Sequence, residues 1–313
     1  MAVDLLDAPL RVGWDIGGIK GLDADQLAVV AQQLIDAGIF FVALEGDPLT
    51  SPSIIALLEQ LHAGGCQVSM VVTEQSLDTN LLKQIPSTVK LFLDCDFAVR
   101  NACLDLDRLL SVLNQIRSTG HEPALSWIPR RGELEAILAL LDFCQAENIS
   151  AFKLPNQKIS ASSDRQQAAF LPNCKDLEQL SVAITKHGLA QNSQLQFEVH
   201  DLFLWELLQP LTGGQRSEYG GCQAANSLGY VAVNGDLWPC ASWPQPLGNL
   251  LQEQLLDLWQ SEARLDIRRQ IAEVPIGCEG CKDYSICFGG CRGLSSFCRD
   301  DGLKRDLLCA DKR

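Results

Sequence analysis

Over the first 155 residues, short apolar runs that suit strands alternate with amphipathic stretches that suit helices, about six times in succession. No other feature narrows the fold as much. Strands separated by helices return in parallel, and a parallel sheet must be covered by those helices. Leu10–Ile16 alternates with a period of two. Leu27, Val30, Ala31 and Leu34 then recur at helical spacing, with Asp23 as a candidate N-cap and Gly38 just past the end. Further strands are expected at 39–44, 67–72, 89–93, 124–128 and 150–154, with helices near 51–63 and 105–118 and one carrying Leu134, Ile137, Leu138, Leu141 and Cys144. Six units are too few for a closed eight-stranded barrel. A partial (β/α)6 barrel and an open doubly wound sheet both satisfy the pattern.

A polar stretch at 156–167 interrupts the alternation and reads as a loop. A helix at 174–187, a strand at 195–199 and a helix at 201–208 follow. Gly-containing polar sequence then marks a boundary, so the chain reads as residues 1–210 and 211–313. The second part is short in regular pattern and rich in turns, as expected of a small domain held by metal rather than by a large core.

Cysteine supports that division. The chain has 13, and eight of them lie from Cys222 onward. The N-terminal segment MAVDLLDAPL has no basic region of a secretory signal, so a disulfide scaffold is not expected, and metal binding in a reducing cytoplasm is. No apolar run approaches the roughly 18 residues of a membrane span. Lys plus Arg number 25 against 39 Asp plus Glu, a net charge of −14, which argues against nucleic acid and anionic membrane as partners.

Within the second part, Cys278-x2-Cys281-x5-Cys287-x3-Cys291 places four thiols in a short run with Gly277, Gly280, Gly289 and Gly290 among them. Glycine lets the backbone wrap tightly and present N–H groups to sulfur. Structural zinc would satisfy the quartet. Cys222 and Cys240 before it and Cys309 after it argue for more than one site. Cys298 reads as a bystander, Cys144 as core, and Cys95 as a strand-end residue between two aspartates. His62, His121, His187 and His200 share no spacing and are not expected to be ligands. The six tryptophans read as core, and Arg130-Arg131 as a solvated helix start.

The full order Cys-x12-Gly-x4-Cys, gap, Cys-x2-Cys-x5-Cys-x3-Cys, gap, Cys resembles the seven-cysteine SPASM domain of radical SAM peptide-modifying enzymes. Asn234-Gly-Asp-Leu-Trp-Pro-Cys240, Leu247-Gly-Asn-Leu250, Leu258-Trp259 and Gly289-Gly-Cys-Arg292 resemble it too. The resemblance implies two auxiliary iron–sulfur clusters of the [4Fe–4S] type. Cys222, Cys240 and Cys291 would hold the first, one ligand short; Cys278, Cys281, Cys287 and Cys309 would hold the second. It also favours the partial (β/α)6 barrel among the two folds above.

The first part departs from that family. Its enzymes carry Cys-x3-Cys-x2-Cys after the first strand, where a cluster cleaves S-adenosylmethionine. Here the strand is followed by Gly17-Gly-Ile-Lys-Gly-Leu22, and no cysteine precedes Cys66. Glu45-Gly46-Asp47-Pro48 resembles the family's Gly-Gly-Glu-Pro, altered at two positions. Gly46, Asp47 and Pro48 would be a vestige of the S-adenosylmethionine site, or simply a strand-to-helix turn with Pro48 near its start. Cleavage of S-adenosylmethionine is not expected. The chain is most similar in its parts to the degenerate SPASM proteins of GeoRSP peptide-maturation systems. That implies a cytoplasmic, non-catalytic accessory or electron-transfer partner of an active radical SAM/SPASM enzyme, with a precursor peptide or its chaperone as further partner. An enzyme using an open iron of the first cluster, and a structural peptide-binding module stapled by metal, are the alternatives.

Overall fold

A computed structural model describes residues 5–17, 21–159, 169–188, 195–208, 218–298 and 302–309. The chain divides into two compact units. Unit one comprises Met1–Leu93, Leu113–Pro123 and Gln223–Ala272; unit two comprises Asp94–Val112, Ala124–Cys222 and Glu273–Arg313. The expected boundary between residues 210 and 211 lies outside the described residues.

In unit one, β1 (Arg11–Asp15), β2 (Phe41–Glu45), β3 (Gln67–Val72) and β4 (Lys90–Asp94) are parallel neighbours in that order. Register places Trp14, Leu44 and Met70 in one row, and all three are fully buried. Each such side chain contributes about 1.5–3 kcal/mol relative to exposure. The helix Ala24–Asp36 between β1 and β2 starts where the sequence signals it. Asp23 Oδ1 accepts the Gln26 N–H at 2.9 Å, and Gln26 Oε1 accepts the Asp23 N–H at 3.1 Å, closing a capping box. Leu27, Val30, Ala31 and Leu34 form its buried face.

Unit two opens with a small hairpin, β5 (Val99–Arg100) and β6 (Cys103–Leu104). Three parallel strands follow: β7 (Ala124–Ser126), β8 (Ala151–Leu154) and β9 (Gln196–Val199), with β8 in the middle. The helix Ala136–Ala146 buries Ile137, Leu141 and Cys144, so Cys144 is core as expected. The helix Cys174–His187 has the expected bounds, capped by Asn173. Residues 156–159 of the expected loop carry no regular element, and 160–168 lie outside the described residues.

The later cysteine-rich sequence contributes to both units. In unit one, β10 (Leu228–Val231) pairs in parallel with β1, Arg11 opposite Leu228 and Trp14 opposite Val231. Strands β11 (Asp236–Trp238) and β12 (Gly248–Asn249) extend it antiparallel, giving the order β12-β11-β10-β1-β2-β3-β4. Gln33 on the first helix fixes this segment: its Nε2 donates to the carbonyls of Leu250 and Glu253, and its Oε1 accepts the Leu255 N–H. In unit two, the helix Arg292–Cys298 is anchored by Leu294, which packs with Ile159 and Leu171; Cys291, Phe297 and Leu307 join that cluster. Among the described residues, no helix is long and apolar enough to cross a membrane.

Candidate metal centre

The C-terminal stretch of unit two folds around its cysteines in short turns. Pro275 precedes a 3-10 turn, Ile276–Cys278, and the Cys278 N–H returns to the Pro275 carbonyl at 2.7 Å. Cys281 N–H donates to the Cys278 carbonyl at 3.1 Å, and the short helix Tyr284–Cys287 presents the third thiol. Phe288, Gly289 and Gly290 then take positive φ in succession, reversing the chain so that Cys291 can open the next helix. The last segment is brought in by Gly277, whose N–H donates to the Leu303 carbonyl at 2.8 Å. Cys309 is thereby delivered to the quartet.

Electrostatics shows which thiols share space. Burial pushes the Cys278 thiol up, and the Cys287 and Cys281 thiols push it further, while the Arg292 and Arg305 guanidinium groups pull it down. Burial pushes Cys309 up to about 11; Arg305 opposes this, and Asp306, Cys278 and Cys287 add to it. Of the set expected for the second cluster, Cys278 thus feels Cys281 and Cys287, and Cys309 feels Cys278 and Cys287. A second grouping surrounds Tyr219. Burial raises its phenol strongly, and Cys222 and then Cys291, Asp306 and Asp201 add to the rise. Its hydroxyl donates to the Gly290 carbonyl at 3.4 Å. Cys222 and Cys291, two of the three ligands expected for the first cluster, thus both act electrostatically on that phenol. Cys240, the third, belongs to unit one, where its carbonyl accepts the Trp243 N–H at 3.1 Å just after β11.

A gathered set of four thiols with two guanidinium groups nearby fits an iron–sulfur cluster. Thiolate ligation would release the thiol protons, and the arginines would balance part of the resulting charge. Among the described residues, no three His, Cys, Asp or Glu side chains close to the geometry of a single metal ion. A bound cluster supplies one-electron transfer.

At the ends of β1 and β2, Gly46, Asp47 and Pro48 lie in a turn held by hydrogen bonds within the chain. The sequence there offers no thiol. Gly46 lies directly against the Asp15 carboxylate, which also accepts the Gly17 N–H at 3.0 Å. Asp47, in the left-handed region at φ 59°, accepts the Thr73 hydroxyl at 2.7 Å and the Ser76 hydroxyl at 3.3 Å. Pro48 begins a 3-10 turn, Pro48–Thr50, so Glu45–Pro48 forms the strand-to-helix turn.

Several residues of the site carry no motif of their own. Tyr219, Arg305 and Asp306 each lie within four residues of a cysteine, and that proximity is their one sequence signal. Asp201 has less. It caps the helix Leu202–Leu207, accepting the Phe203 and Leu204 N–H groups at 2.8 and 3.0 Å, and burial pushes its carboxyl up to about 6. With Pro129, Leu154, Asn156, Leu294 and Asp306 it lines a cavity of about 30 Å³. Arg130, expected to be solvated, is partly exposed and pairs with Asp96 at 2.6 Å and Glu133 at 2.9 Å. Cys95 is completely buried.

The iron–sulfur cluster-binding SPASM domain family matches residues 222–282, a stretch containing Cys222, Cys240, Cys278 and Cys281. The comparison with curated proteins found no match. Among solved structures, SuiB of Streptococcus suis is similar with a TM-score of 0.67 at 18% identity, over 98% of this chain and 78% of that one. SuiB bound to precursor peptide SuiA gives 0.65 at 18% identity, over 98% and 77%. The enzyme anSMEcpe with bound AdoMet and the Kp18Cys peptide gives 0.65 at 13% identity, over 96% and 94%. At these identities the likeness concerns the fold, which is the α/β class with a parallel sheet found in radical SAM/SPASM enzymes.

Proposed function

We propose that this chain is an iron–sulfur protein that does not cleave S-adenosylmethionine and serves an active radical SAM/SPASM enzyme in peptide maturation. It would act in the cytoplasm as an accessory subunit or electron-transfer partner, in the manner of the degenerate SPASM proteins of GeoRSP systems. Cys278, Cys281, Cys287 and Cys309 hold one [4Fe–4S] cluster; Cys222, Cys240 and Cys291 hold another. The observation that carries the reading is the gathering of the first four thiols in unit two beside two arginines. The missing triplet after β1 argues against independent radical chemistry. The SPASM match supports iron over zinc, and the peptide-bound structural neighbours support a precursor peptide as partner.

The test is anaerobic reconstitution of the purified chain. About seven to eight iron atoms per chain, charge-transfer absorption, and no 5′-deoxyadenosine from S-adenosylmethionine under reduction are expected. Formation of 5′-deoxyadenosine by the chain alone would overturn the reading. A redox-silent zinc protein would also overturn it, leaving a metal-stapled peptide-binding module.

A further inference from the structure

Asp306 is a charged residue only 2% exposed, and it touches both cysteine groupings of unit two. Its Oδ2 accepts the Cys291 N–H at 2.6 Å. Its Oδ1 accepts the Leu308 N–H at 2.8 Å, and its own carbonyl accepts the Cys309 N–H at 3.3 Å. Gly290, at φ 67°, lies so close beneath the carboxylate that a Cβ there would collide with it. One side chain therefore sets the turn that presents Cys291 and the turn that presents Cys309. No capping motif requires this: Asp306 precedes no helix among the described residues, and its partners lie in two turns far apart in sequence.

We infer that Asp306 is a positioning residue that couples the ligand turns of both clusters, an inference that rests on the two-cluster reading above. Cys291 is assigned to the first cluster and Cys309 to the second, so this carboxylate is the shared support of two redox sites. Its role is twofold. It holds the two turns in register, and it occupies the Cys291 N–H, which is thereby withheld from cluster sulfur. It also places a buried negative charge beside both sets of thiolates. Charge and N–H···S hydrogen bonding are two of the factors that set cluster potentials. Removing the charge favours the more negative, reduced form of each cluster.

The experiment compares the reconstituted full chain with D306N and with D176N. Asp176 is the control because it is likewise buried in unit two and likewise accepts two backbone N–H groups, from Gly132 and Asn173, away from the cysteines. D306N should raise the reduction potential of both clusters by at least a tenfold shift in the reduction equilibrium, 59 mV for a one-electron step. It should also change both reduced paramagnetic spectra, while D176N changes neither. If D306N does not retain iron, both clusters should be lost together while D176N keeps its full complement. Potentials that match those of D176N, or loss of one cluster alone, would overturn the inference while leaving the two-cluster reading standing. A wild-type chain that binds no iron would overturn both.

Discussion

Asp201 illustrates how burial sets the chemistry of a single residue here. Its ordinary value of 3.8 is pushed up to about 6, chiefly by burial, although two N–H groups hydrogen-bond to the carboxylate. The folded state thus binds a proton more tightly than the unfolded chain does. The stability this contributes is fully present below about pH 4 and is lost as pH rises through 6. The rise corresponds to about 3 kcal/mol as an upper figure. D201N keeps an oxygen for the helix cap but carries no charge. It should be more stable than wild type at pH 8 by up to about 3 kcal/mol, with the advantage fading toward pH 4. Urea midpoints across that range measure this, and a pH-independent difference would contradict it. An aspartate before Leu202 is legible in sequence as a helix cap; that it would be buried beside a cavity is not, because distant elements build those walls.

At the scale of elements, helix Glu262–Ala272 owes its place in unit one largely to Arg264. That guanidinium, 4% exposed, donates to the carbonyls of Ala225, Trp259 and Leu6 at 2.8, 2.9 and 2.9 Å and stacks on the Trp259 ring. Lysine has one point of charge and cannot span that fan. R264K should therefore cost about 2–4 kcal/mol, seen as a lower denaturation midpoint. A loss under about 0.5 kcal/mol would show the fan to be dispensable. The same scale separates what patterning reveals from what it hides. Strand β3 at Gln67–Val72 and helix Cys174–His187 have the bounds read from periodicity, since each buries one face of its own residues. The β5–β6 hairpin was not expected. Its turn places Asn101 and Ala102 at positive φ, and Ala102 gives none of the usual glycine signal.

For the whole molecule, apolar burial is distributed unevenly between the two units. Unit one has its buried row of Trp14, Leu44 and Met70. The cysteine-bearing end of unit two has short turns, and Val274, Ile276 and Ile286 are exposed there by 48, 61 and 38%. Removing iron with a chelator should raise amide hydrogen exchange across 276–298 and 302–309 while β1–β3 stay protected. An equal rise in both regions would show that the metal supports the entire fold.

The sequence by itself determined the α/β class, most strand and helix positions, and a cysteine order that resembles the SPASM pattern. These are properties of local periodicity and spacing, which a linear chain carries in full. Tertiary structure alone decided that Leu228–Val231 would join β1, that the polar Gln33 would lie on a core-facing surface, and that Asp306 would serve two cysteine turns. Those outcomes depend on backbone groups far apart in sequence meeting in space. A hydrogen bond between such groups leaves no periodic trace, because any acidic or amide side chain in the right place could make it.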